Sequence, residues 1–295
     1  MSSPAAPSSR KTTSARTTAR RKPPAPATPA DPVEGADAGA ANQSVAMSVK
    51  ILDELAAHGE PIGVSELARR LNESKGRIHR HLSSLRALGL VSQQPVTERY
   101  GLGWKIFQLG AAANEGFGIR RIAEEHIARL RDLTQHTTVF AIPANREALV
   151  LTSAMSGNRI AILVKHGVTL TASASALGRA VLAFAAPALQ ADVLKGPFTA
   201  YTDASLTDPS VIAERFAIIR QRYYEVAVNE NAYGISTLAA PVFDEQGQIA
   251  GAVGIVGSPY TIPANPSPAL VHAVQSCARD MSEALGSRTW DQVLT

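Results

Sequence analysis

The sequence predicts an α+β protein of two domains: a small helical domain closed by a short hairpin, then a larger one interleaving strands and helices. Three observations carry this. The chain has 295 residues, and at roughly 100–200 residues per domain that length divides into about two. Apolar residues at helical spacing begin abruptly after Gln43 and mark three short helices in succession. From Thr138 onward, β-rich runs alternate with amphipathic segments.

Composition removes several classes. An apolar fraction of 45% is that of an ordinary globular chain. The single cysteine, Cys277, excludes an internal disulfide and any multi-cysteine metal site. The best apolar run, residues 180–189, contains Pro187 and is shorter than the 18 or so residues of a membrane span. Arginines near the start are not followed by the apolar core of a secretory signal. A cytoplasmic protein that does not engage membranes is expected. The net charge of +4 is unevenly spread: residues 1–30 carry +6, residues 31–43 carry −3, residues 44–103 carry +2 and the remainder −1.

Residues 1–43 hold seven of the 18 prolines and no hydrophobic period. Such a segment buries too little apolar surface to offset its ordering entropy and reads as a disordered, basic, Pro-rich tail. Its role is either that of a solubilising leader or of an arm touching DNA phosphates.

Residues 44–103 form the first domain. Val45, Val49, Leu52 and Leu55 recur at helical spacing to about Ala57, and Gly59 and Pro61 end that helix. An extended piece follows at 62–64. Ser65 is then placed to cap a helix over 66–71, and Ser74 a third to about Leu88, stopped by Gly89. Two short helices joined by a tight turn make a helix-turn-helix unit. On the third helix, Ile78, Leu82 and Leu85 share the inward face, while Gly76, Arg80, Ser83 and Ala87 lie opposite. Residues 74–86 contain four Lys/Arg, two histidines and no carboxylate, the composition of a helix that enters a DNA major groove. Residues 90–92 and 99–102 are β-like and flank a turn containing Pro95, which makes a wing that places Gln94 and Arg99 near phosphate or the minor groove. The candidate DNA-binding residues are Ser65, Ser74, Lys75, Gly76, Arg77, His79, Arg80, Ser83 and Arg99. A helix-turn-helix normally reads two half-sites, so a homodimer or dimer of dimers on double-stranded DNA is expected.

Residues 104–118 read as a linker helix with Trp104, Phe107, Gln108 and Ala111 on one face, and 119–133 as a further amphipathic helix. The second domain, 119–288, is expected to contain β-runs at 138–142, 148–153 and 159–164. Helices over 176–185 and 211–223, a hairpin turned at Asp244–Gly247 and a closing helix over 270–285 complete it. No G-x-S-x-G, H-E-x-x-H or phosphate-loop motif is present, and the histidines show no metal spacing. Catalytic residues, metal and cofactor are therefore all assigned as none.

Residues 43–57, Val64-Ser-Glu-Leu-Ala-Arg-Arg-Leu71, Ile78-His-Arg80, Leu85-Arg-Ala-Leu-Gly-Leu90 and Tyr100-Gly-Leu-Gly-Trp104 resemble the DNA-binding half of the IclR family of bacterial transcriptional regulators. Ala176-Leu-Gly-Arg-Ala-Val-Leu-Ala183 and residues 218–224 and 234–242 resemble its effector domain. The resemblance spans about 43–287 and implies a GAF-like second domain, dimer contacts on the linker helix and a ligand-responsive regulator of a catabolic operon. Gly76-Arg77 departs from the Ser-Thr pair usual in the family, so Arg77 is expected to place a two-pronged donor on a guanine. By the same resemblance the effector site maps to Ile162, Leu170, Ala176, Leu177, Ile235, Thr237, Gly254 and Val256, with amides at 176–178 receiving a carboxylate. Where relatives that sense small oxo-acids carry Asp, Cys and Ser, this chain has Ala227, Thr237, Gly254 and Val256. That points to a bulkier, flatter organic acid, aromatic or similar in class. The alternatives are that these residues only pack a core in a constitutive DNA binder, or that the winged helix serves an enzyme as an interaction module.

Overall fold

The computed structural model describes residues 43–116 and 118–292; the tail expected over 1–43 lies, but for Gln43, outside the described residues. The chain divides into two compact units, one ending at Gly110 and the other beginning at Ala111.

In the first unit, α1 (Gln43–His58), α2 (Val64–Arg70) and α3 (Lys75–Ala87) precede a two-stranded hairpin of β1 (Val91–Gln93) and β2 (Tyr100–Leu102). The helices form around one core. Met47, Ile51 and Leu55 come from α1, Leu67 from α2, and Ile78, Leu82 and Leu85 from α3, with Val91 and Tyr100 closing it from the hairpin. Each such burial contributes about 1.5–3 kcal/mol. The extended piece at 62–64 appears as a bridge, in which Ile62 and Tyr100 exchange N–H···O bonds of 2.8 Å. Ser65 does not cap α2: the helix starts two residues early with Gly63 at its N-cap, leaving Ser65 in the first turn. Ser74 does cap α3, its hydroxyl accepting from the Arg77 N–H at 3.3 Å. The hairpin returns so close to the end of α3 that a Cβ on Gly103 would stand 2.1 Å from the Gly89 carbonyl oxygen, so only glycine fits there. α4 (Trp104–Gly116) follows.

The second unit is built on a six-stranded antiparallel sheet in the order β5-β4-β3-β8-β7-β6. Its strands are β3 (Thr137–Ala144), β4 (Glu147–Ala154), β5 (Thr169–Leu170), β6 (Glu225–Val228), β7 (Ser236–Phe243) and β8 (Ile249–Gly257). Period-two alternation divides two faces. Leu238, Ala240, Val253 and Ile255 pack with α5 (Gly118–Thr134) and α9 (Pro268–Ala284). Ala239, Ala252 and Val256 pack with α6 (Ala176–Leu182). Behind α6, a satellite core joins it to α7 (Pro187–Val193) and α8 (Pro209–Arg222) through Leu182, Val193, Ile212 and Phe216.

The strand expected at 159–164 is absent. Along the outer edge of β4, side chains replace the ladder: the Ser153 N–H donates to His166 Nε2 at 3.1 Å and its hydroxyl to the Val164 carbonyl at 2.9 Å, while the Thr137 hydroxyl donates to the Ile162 carbonyl at 2.8 Å. Ile160 and Leu163 are thereby left 91% and 66% exposed. Backbone bonding to β4 resumes at Gly167 and Val168, which pair with Val150 at 2.8 and 2.9 Å, and the ladder continues through Thr169.

Candidate nucleic-acid interface and effector cluster

Seven of the nine candidate DNA-binding residues lie on α3 or its cap. Ser74, Lys75, Gly76, His79 and Arg80 are exposed, and Arg77 and Ser83 half-buried. Ser65 is exposed on α2 and Arg99 exposed where the hairpin turn enters β2. The cationic groups differ in their engagements. Arg77 Nη1 donates to both carboxylate oxygens of Glu73, at 2.9 and 3.1 Å. Arg86 bonds Gln93 of β1, tying the helix to the wing. Lys75 and Arg80 make no ion pair among the described residues. Glu73, one residue outside the segment expected to be free of carboxylates, was missed; its i,i+4 spacing to Arg77 is the signal that reveals it.

Gly76 has open space where its Cβ would stand, with nothing within 4 Å, and its φ is not in the left-handed region. Neither packing nor backbone conformation within the protein requires glycine there. α3 is held to α1 by a hydrogen bond between the Ser48 hydroxyl and His81 Nδ1 at 3.1 Å. On α2, Glu66 takes Arg69 and Arg70 together, and the hydrogen bonds from these two guanidiniums lower its pKa to about 2.

In the second unit, Ile162, Leu170, Ala176, Leu177, Ile235 and Val256 come together in one apolar cluster between the sheet and α6. Thr237 stands on the same sheet face, paired with Ala227 on one side and Val256 on the other. Ala141, Ala227, Ala239 and Ala252 make the floor of small side chains. Gly254 has a packing reason of its own: a Cβ there would meet the Leu238 carbonyl oxygen at 2.6 Å. The expected cradle of three amides is reduced, since the Gly178 N–H already donates to the Ser175 hydroxyl at 3.2 Å.

Beneath α6 lies a charged network that sequence reasoning did not find. Arg179 is fully buried and donates from Nη1 and Nη2 to the two oxygens of Glu230 (2.6 and 2.9 Å), from Nε to Glu225 (2.9 Å) and from Nη1 to the Ala172 carbonyl (2.9 Å). Glu225 also receives Arg215 and Arg222. Desolvation opposes the Arg179 charge, but Glu230 and Glu225 outweigh it and raise its pKa. Partners 46 and 51 residues away leave no local spacing to read.

The opposite sheet face carries a groove of about 620 Å³ between α5 and α9, lined among others by His126, Leu133, Leu270 and Cys277. Burial pushes the Cys277 thiol up to about 12, so it stays protonated and unreactive at neutral pH. Among the described residues no cluster of His, Cys, Asp and Glu could hold a metal ion, and no helix is long and apolar enough to cross a membrane.

Comparison with known proteins agrees with this division. The family model described as the C-terminal domain of the bacterial transcriptional regulator IclR matches residues 111–283, and the IclR helix-turn-helix domain matches residues 44–95. The HTH-type transcriptional regulator BhcR of Paracoccus denitrificans is 28% identical over 255 residues, covering 86% of this chain and 91% of its own. The glycerol operon regulatory protein of Streptomyces griseus is 28% identical over 247 residues, covering 83% and 97%. Among solved structures, the IclR transcriptional regulator from Alicyclobacillus acidocaldarius aligns with a TM-score of 0.71 at 25% identity over 83% of this chain and 97% of its own. An IclR homologue from Microbacterium hydrocarbonoxydans, complexed with 4-hydroxybenzoate, shares the fold with a TM-score of 0.68 at 20% identity, covering 82% and 98%. These relatives are named as transcriptional regulators, not enzymes. With both of its units matched in order, the chain belongs to the IclR family of bacterial transcriptional regulators.

Proposed function

We propose that this regulator reads operator DNA with Lys75, Gly76, Arg77, His79, Arg80 and Ser83 of α3, supported by Ser65, Ser74 and the wing residue Arg99. On this reading it answers to an aromatic or similarly flat organic acid and controls a catabolic operon. It works as a homodimer or dimer of dimers, for which the exposed apolar residues Trp104 and Phe107 of α4 supply a surface, Phe107 being 80% exposed. Effector and DNA are coupled because the effector prefers one of two conformations.

The observation that carries the ligand class is the floor of the α6 cluster. Alanines at 141, 227, 239 and 252, with glycine at 254, line the buried sheet face under α6 with small apolar groups, and Thr237 is a polar side chain at its side. Such a surface matches a ring better than a small, densely charged acid. The structure of a homologue with 4-hydroxybenzoate is in keeping with this.

Thermal-shift measurement tests it. Benzoate-type acids are expected to raise the unfolding temperature, since binding adds RT ln(1 + [L]/Kd) to the stability, about 2.7 kcal/mol at one hundred times Kd. Stabilisation by small keto-acids and none by aromatic acids contradicts the ligand class.

A further inference from the structure

The ion pair at the start of α3 differs in geometry from three of the other four i,i+4 pairs among the described residues, the fourth being Arg129, which turns Nη2 to Glu125 at 3.6 Å. Arg70 and Arg120 engage Glu66 and Glu124 through Nε at 2.8 Å, and Arg279 turns Nε towards Glu283 at 3.6 Å. Those pairs turn the Nε edge of the guanidinium to the carboxylate. Arg77 instead gives Glu73 a single terminal nitrogen, Nη1, which both carboxylate oxygens share. No described hydrogen bond uses Arg77 Nε or Nη2, and those two nitrogens lie on one edge as parallel donors. That edge fits the O6 and N7 acceptors of a guanine in the major groove.

Glu73 is well placed to hold this arrangement. It follows Asn72, whose φ of 52° turns the chain between α2 and α3, and its own N–H donates to the Ala68 carbonyl at 2.9 Å. The side chains of Arg77 and Glu73 are 35% and 22% exposed, so the pair is neither sealed from solvent nor freely waving in it. A guanidinium held at one end loses less freedom when the other end binds, which is the advantage of preorganisation. One released from Glu73 would gain an uncompensated charge and the reach to settle on any phosphate.

We propose that Glu73 is a positioning residue for sequence readout: it anchors Arg77 through Nη1 so that the Nε–Nη2 edge is aimed at a guanine and kept off the phosphate backbone. The inference rests on the reading of α3 as the helix that enters the major groove.

Binding-site selection from a randomised duplex library with the full chain, followed by titrations at several salt concentrations, tests it. The wild type is expected to prefer guanine at one position of each half-site, and Arg77→Ala to lose that preference. Glu73→Gln, which keeps the size of the side chain and removes its charge, is expected to weaken the preference about tenfold. It is also expected to steepen the slope of log K against log salt by about one phosphate contact. In the Arg77→Ala background, Glu73→Gln should change base preference no further. Glu73→Asp keeps the charge but shortens the reach, and is expected to weaken the preference without raising the net charge; it substitutes if the Gln variant is poorly folded. Unchanged preference in both Glu73 variants, with Arg77→Ala losing it, overturns the positioning role. Unchanged preference in Arg77→Ala overturns the reading of α3 on which it rests.

Discussion

Replacing Gly76 by alanine separates what the protein needs from what the DNA needs. Gly76 is the second residue of α3, where a Cβ would meet nothing within 4 Å. Glycine costs up to about 1 kcal/mol against alanine in a helix interior and less near the start, so the substitution should stabilise the first unit by about 0.5 kcal/mol. For a domain of this size that raises the unfolding temperature by about 2–4 °C. Operator binding should move the other way. If the missing side chain exists so that DNA can approach the backbone, a methyl group in that gap is expected to weaken binding about tenfold, or about 1.4 kcal/mol. Calorimetry and fluorescence anisotropy on the same preparation read both effects. A variant that is more stable and binds the operator like the wild type refutes the close approach, and one that is less stable refutes the open space.

Two other perturbations act on charge. Glu225 is fully buried and receives Arg179, Arg215 and Arg222, so Glu225→Gln leaves guanidinium charge uncompensated and should destabilise the second unit by roughly 3–5 kcal/mol in denaturant titrations; a loss under 1 kcal/mol contradicts the role of the network. Glu66 has a pKa lowered from 4.5 to about 2, which makes its contribution to stability complete above about 4.5 and lost as pH falls towards 2. Acid unfolding of the first unit, followed by circular dichroism, should therefore lose that component in Glu66→Gln, while the unaltered chain retains it; identical acid profiles count against the pairing.

The parts legible in the sequence are those fixed by local spacing. The three helices of the first unit follow from apolar residues three and four apart, and on α3 the expected inward residues 78, 82 and 85 are those the structure buries; on α1 the face is turned, since of the expected stripe only Leu55 is buried, Val45 and Val49 are 60% and 48% exposed, and Met47 and Ile51 face the core instead. The Ser74 cap was legible because a hydroxyl before a helix-forming run has one obvious use. Ser65 offered the same signal, but the chain enters α2 two residues sooner, through Gly63. Residues 159–164 have strand composition yet form no strand, because hydroxyl and imidazole side chains satisfy the β4 edge that they would have paired with. Pro187 read as an interruption of an apolar run, whereas it sits at the first turn of α7, where its missing N–H costs nothing. β6 is only four residues long, too short for alternation to show. The effector cluster was located by resemblance rather than by pattern, and the structure adds that Gly254 answers to the Leu238 carbonyl. Arg179 and its two glutamates were beyond sequence reasoning, since only the folded sheet brings β6 and the segment after it beneath α6.

On the proposed reading, one chain couples operator binding to a flat organic acid. This coupling is tested most directly by a mobility-shift titration of the full chain on its own upstream DNA, with and without a series of aromatic acids. A retarded complex is expected whose apparent affinity changes at least fivefold with one of these acids, a coupling of about 1 kcal/mol or more. A complex indifferent to every acid, or no complex with the DNA, contradicts it.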